Sequence, residues 1–169
     1  MNYNAVIQAQ FGAALTMLAQ AVEQCPTELW DAPNDKTKFW HIAYHALFYT
    51  HLYLQKNEAE FQPWHKHRPD YELMGPTPWP PHKAPQIGAP YDKADIHEYI
   101  EFCRQEVART LATVDLAGES GFSWLPFTKF ELQIYSIRHI QQHAGELMER
   151  LGTRAGIDVD WVGTVSPGA

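Results

Sequence analysis

Apolar positions recur at three- and four-residue steps in four long segments of this chain, the spacing of helices that turn one face inward. The first segment runs from about Asn4 to Gln24 and is rich in Ala, Leu and Gln. It should stop at Cys25-Pro26, because proline has no amide to donate to the next backbone hydrogen bond. A short helical turn at Thr27 to Trp30 is expected after it. The second segment, DKTKFWHIAYHALFYTHLYLQK from about Asp35 to Lys56, is apolar or aromatic on nearly every side. That pattern predicts burial against several neighbours.

From Asn57 to Pro90 the periodicity disappears, and eight prolines fall between Pro63 and Pro90. A long irregular loop is expected, of a length that often carries function. Its Trp64, Tyr71, Trp79 and Tyr91 offer rings that can pack it down onto the helices. The third helix should open at Asp92 as N-cap, carry Ile96, Ile100, Cys103, Val107 and Leu111 on one face, and end before Gly118. In the fourth, Thr128 stands three residues before Glu131 at capping-box spacing, and Gly152 should stop the helix after Leu151. Thr153 to Ala169 has no periodicity and reads as an irregular surface tail. No strand and no internal repeat is predicted. The expected fold is all-α: one four-helix-bundle domain over residues 1–152, with a long crossover loop between the second and third helices.

Composition narrows the partners. With 169 residues, 45% of them hydrophobic and 20% charged, the chain suits one globular core. A net charge of -7, with 13 scattered basic residues, disfavours nucleic acid and anionic membrane surfaces. The N-terminus lacks a basic stretch leading into an apolar one, and no apolar run approaches membrane-spanning length. A cytoplasmic location is therefore expected. Cys25 and Cys103 have no C-x-x-C partner and read as buried, reduced thiols.

The nine histidines include two pairs four residues apart, His41 with His45 and His139 with His143. Chance supplies such spacings at this density, so facing discriminates better than spacing. On the fourth helix Leu132, Ile140, Ala144, Leu147 and Leu151 define an apolar arc, opposite Glu131, Arg138, Gln142 and Glu149. His143 falls inside that arc and His139 at its edge. An imidazole aimed at a core needs a polar partner, and one divalent ion can be shared by two histidines at this spacing. Hydrogen-bonded core histidines are the alternative. The second helix offers a third inward-facing donor, which can be either His41 or His45. His51 points elsewhere and reads as a structural or surface residue, while His65, His67, His82 and His97 read as solvated.

The segments FWHIAYHALFYTHLYL, YDKADIHEYIEFCRQEV and FTKFELQIYSIRHIQQHAGELMERLG, in that order around a long loop, resemble the DinB-like family over about Asn4 to Gly152. That family is similar to YfiT-type metal-dependent hydrolases and to bacterial thiol S-transferases. The most specific match is H-x-x-x-H-x-G at His139, His143 and Gly145. The resemblance implies one divalent ion, zinc or nickel, held by His45, His139 and His143. His45 is preferred to His41 because it follows the tryptophan by several residues and leads into an aromatic stretch.

Three imidazoles leave a coordination position for water or substrate. Two reactions suit that arrangement: hydrolysis, or transfer of a low-molecular-weight thiol to an electrophile, with a small molecule as substrate in each. Glu146, three residues after His143, is a candidate to orient an imidazole, or else an exposed helical glutamate. Tyr49 and Tyr135 are candidates to donate hydrogen bonds near the ion, or else core tyrosines. A non-catalytic bundle that binds metal or a small molecule is the alternative function. Apolar helix faces and family habit suggest a homodimer.

Overall fold

The structure is a computed structural model, and it describes residues 2–166. Among these the regular elements are all helical: α1 (Tyr3–Gln24), α2 (Thr27–Trp30), α3 (Phe39–Leu54), α4 (Lys93–Leu111) and α5 (Lys129–Ala155). No strand occurs among the described residues; one isolated bridge joins Glu119 and Thr128. The all-α expectation holds. α1 and α3 each pack against both α4 and α5, so a common core runs between the long helices.

Helix boundaries follow their caps. Asn2 accepts from the Ala5 amide at α1, Asp92 from Asp95 at α4, and Thr128 from Glu131 at α5. α3 begins four residues later than its pattern suggested. Lys38 is extended at its N-cap position, and its ammonium donates to the carbonyls of Ala32, Pro33 and Asp35, tying the preceding residues into a turn. α5 runs past the expected stop at Gly152. The left-handed residue is Gly156 (φ 66°), whose amide and that of Ile157 return to Gly152 and Leu151, while Arg154 in the added turn pairs with Asp35. Of the tail, Gly163 accepts from Gln10 and the Val165 amide donates to Ala9, which lays it along α1.

α1 is 22 residues long and apolar enough, by length and composition, to cross a membrane, which corrects the reading that no run approaches that length. Half of its apolar window is buried within the protein. Its Phe11, Leu15, Leu18 and Val22 are fully buried core residues.

The long segment between α3 and α4 is irregular, as its prolines dictate, and three of its four predicted anchors are buried. Trp64 stacks on Tyr99 of α4 with ring centroids 4.4 Å apart, and Tyr91 stacks on Tyr44 of α3 at 4.8 Å. Tyr71 is buried against Trp40, and its hydroxyl donates to Ala89 and accepts from the Gly88 amide. Trp79, the fourth, is 61% exposed and anchors nothing. The proline run around it folds into a turn of its own, with the His82 amide donating to the Trp79 carbonyl and the Thr77 amide to that of Lys83. Cys25 and Cys103 are buried free thiols, and burial raises both above the usual thiol range.

Candidate metal centre

α3 is buried at every position except His45 and Tyr49, one turn apart, which are half-buried. Those two residues face α5. There the apolar arc packs as expected, with Leu132, Ile140, Ala144, Leu147 and Leu151 fully buried, His143 buried beside them and His139 half-buried at the edge. The packing of α3 on α5 brings His45, His139 and His143 together. The Nε2 atom of His139 lies 3.2 Å from Nε2 of His45 and 3.2 Å from Nε2 of His143. One ligand atom from each of the three residues falls within 4.8 Å of the others, a group of a size to hold a metal ion. Tetrahedral coordination at about 2.05 Å spaces its donors by about 3.3 Å, close to two sides of this triangle.

Hydrogen bonding on the far side of the rings decides which nitrogens face inward. His45 Nδ1 is 2.6 Å from the carbonyl oxygen of Glu72, so that nitrogen carries the proton and Nε2 presents its lone pair. His143 Nδ1 faces the Glu146 carboxylate at 3.4 Å, which selects the same tautomer. Glu146 is held in turn by Arg150 at 2.8 Å, and Arg150 donates to the Thr37 carbonyl. His139 Nδ1 is buried with no hydrogen-bond partner among the described residues. A single proton on His139 Nε2 is the most that three converging nitrogens accommodate without a cation between them. A divalent ion satisfies all three lone pairs, so the donor set fits the group that the resemblance implies.

Burial keeps these imidazoles neutral, as ligation requires. It lowers His45 to about 3, with the neighbouring imidazoles adding to the effect, and His139 to about 4, with His143 adding. His143 is lowered by burial too, against an opposing pull from Glu146.

The first histidine pair divides its work. His41 Nε2 bonds to the carbonyl of Tyr71 at 2.9 Å, while His45 takes the next carbonyl, that of Glu72. Two histidines one turn apart on α3 thus grip consecutive loop peptides, and of the two it is His45 that stands in the three-histidine group. His51 is buried, its Nδ1 within 3.2 Å of the Tyr99 hydroxyl. His67 departs from the solvated reading: it is half-buried, with Nδ1 2.8 Å from the Tyr44 hydroxyl, because the anchored loop carries it inward. His97 departs from that reading as well, half-buried in α4 with Nε2 3.0 Å from the Glu23 carboxylate, whereas His65 lies exposed beside Glu98 and His82, also exposed, bonds to the Thr77 carbonyl.

A cavity of about 690 Å³ opens beside the histidines, with His45 and His139 in its wall. Aromatic rings supply much of the remainder: Tyr49, Tyr53 and Tyr135 from the helices, Trp79 and Trp124 from the two loops. Glu72 also lines it, and its Oε2 is buried without a hydrogen-bond partner among the described residues. Tyr49 is raised above the usual phenol range by burial first, then by the charge of Glu72 and by Tyr135. Glu72 escaped the sequence reading because no spacing ties a residue of an irregular loop to a helix. The one hint was its neighbour Tyr71, an aromatic expected to pack down. Gly145, by contrast, has no steric reason to be glycine, since a Cβ there would meet nothing within 4 Å.

Comparison of the chain with protein-family models, curated proteins and solved structures returned no match.

Proposed function

We propose that the protein is a small metal-dependent enzyme of the DinB-like kind, a four-helix bundle with a crossover loop between α3 and α4. His45, His139 and His143 would hold one divalent ion, zinc or nickel, with a coordination position open to the cavity. The observation that carries this reading is the convergence of three Nε2 atoms, two of the three separations being 3.2 Å, at the wall of a 690 Å³ cavity. A bound ion supplies Lewis-acid activation of a water or a thiol.

The chain's own groups do the rest. The Glu72 carbonyl fixes the His45 ring, and Glu146, steadied by Arg150, orients His143. The Glu72 carboxylate, in the cavity and without a partner among the described residues, can accept the proton released by either a water or a thiol nucleophile. The Tyr49 hydroxyl keeps its proton and can donate to a substrate oxygen. The reaction is hydrolysis or thiol transfer to an electrophile, on a small molecule.

Metal analysis of the purified protein tests the reading, with one divalent ion per chain expected and its loss expected in His139→Ala. Protein without stoichiometric ion, and without a thermal shift on adding zinc, nickel or manganese, overturns it. A panel of esters and amides set against thiols with an alkylating electrophile then separates the two reactions.

A further inference from the structure

The cavity beside the histidines has walls of unusual chemistry. Tyr49 and Tyr53 stand with ring centroids 5.7 Å apart, Tyr53 and Tyr135 also at 5.7 Å, which makes a continuous aromatic surface leading away from His139. At its outer part stand two tryptophans from different loops, Trp79 at 61% and Trp124 at 48% exposure. Trp124 rests one side on Phe122, with ring centroids 5.4 Å apart, yet both indoles keep about half or more of their surface in water around one cavity, and they suit a ligand that covers them. Among the described residues, the charged side chains that line the cavity are acidic. Glu58 is exposed and forms no ion pair among the described residues, and Glu72 has its buried oxygen without a partner. Among the described residues no lysine or arginine lines the cavity; Arg138 lies in an adjoining concavity with Tyr135 and His139.

Several ring faces combined with uncompensated carboxylates favour one class of ligand. Aromatic faces carry negative potential, which attracts a cation that sheds water easily, and a quaternary ammonium group is the strongest case. At the aromatic mouth a carboxylate would meet Glu58 and Glu72, with no lysine or arginine among the described lining residues to offset them, and a neutral apolar ligand would leave Glu72 Oε2 buried and unpaired. We propose that this cavity binds an organic cation, a small molecule with a substituted ammonium group, seated on Trp79 and Trp124 and balanced by Glu58 and Glu72. The ammonium end occupies the aromatic mouth, and the remainder of the molecule extends toward His45 and His139. This names the substrate class for the reading above and rests on it only in taking the cavity as the substrate's side of the metal centre.

Titration of the full-length protein with choline, followed by calorimetry, tests the idea against choline's neutral isostere, in which carbon replaces the nitrogen. Both titrations are run with chelator and with added zinc. Choline should saturate and bind on the order of tenfold more tightly than the isostere. Trp124→Leu and Trp79→Leu, substitutions at exposed positions, should each weaken choline several-fold, and Glu72→Gln should do so while leaving the isostere unaffected. Equal affinity for the two compounds, no saturation by choline, or unchanged choline affinity in both tryptophan variants overturns the proposal. Choline binding that persists in chelator, in protein that takes up no metal, would refute the metal centre and leave the cation site standing. Metal uptake without choline binding would do the reverse.

Discussion

Replacing Tyr71 by Ala should damage both the fold and the candidate metal centre, though the Tyr71 ring packs on Trp40, Tyr44 and Tyr91 and not on the three candidate ligands. The ring is 5% exposed and packs against Trp40 and Tyr91, while its hydroxyl joins Ala89 and Gly88 across the loop. Truncating a buried aromatic to alanine costs about 3–5 kcal/mol. Two hydrogen bonds vanish with it, which places the expected loss in the upper half of that range. The peptide carbonyls of Tyr71 and Glu72 are the ones His41 and His45 hold, so a loosened loop leaves His45 free to rotate. Loss of such an orienting partner lowers metal affinity by about 10–100-fold. Urea unfolding of the metal-free protein measures the first effect, and competition for zinc with a chromophoric chelator measures the second. Tyr71→Phe is the control: it keeps the ring, should cost about 1–2 kcal/mol, and should leave zinc affinity nearly unchanged. A folded Tyr71→Ala variant with the expected loss of stability but zinc affinity within twofold of wild type would refute the coupling between loop and ligand.

Acid should destabilise the protein well above the carboxylate range. Burial lowers His51 from 6.5 to about 4, so the unfolded chain takes up its proton first; this stability is intact above pH 6.5 and drains away down to about pH 4. The loss is on the order of 3 kcal/mol, and His51→Phe should flatten the acid limb of the stability curve; an unchanged limb counts against the assignment. Gly121 has φ 84°, and a Cβ there would run into the Lys56 carbonyl, so Gly121→Ala should cost about 2 kcal/mol or more in denaturant unfolding. Gly145→Ala should do the opposite, adding about 0.5–1 kcal/mol, because the site is helical and open; a destabilised variant would mean that something covers this face.

What the sequence made legible was whatever depends on period. The apolar steps placed the helices, and the helical arc correctly separated buried His143 from half-buried His139, because both properties follow from 100° of rotation per residue. Caps with a local chemistry, Asp92 and Thr128, were legible for the same reason: their partners lie three residues away. Features set by distant contacts were not legible. α5 outruns Gly152 because Arg154 finds Asp35, and Lys38 shortens α3 by gripping three carbonyls of the preceding turn. The choice between His41 and His45 has the same character. Period puts both on one face of α3, and only the course of the loop shows that His41 ends on a peptide carbonyl while His45 has a second nitrogen left for α5. Glu72 belongs to that class as well, since its place in the cavity depends on Trp64, Tyr71 and Tyr91 docking an aperiodic chain. The histidines of the candidate centre are thus encoded by helical spacing, whereas the groups that orient them and face a substrate are encoded by how aromatic residues fasten a proline-rich loop. Substitutions in that loop should therefore alter ligand preference more readily than they alter metal binding, except at Tyr71, where the two are joined.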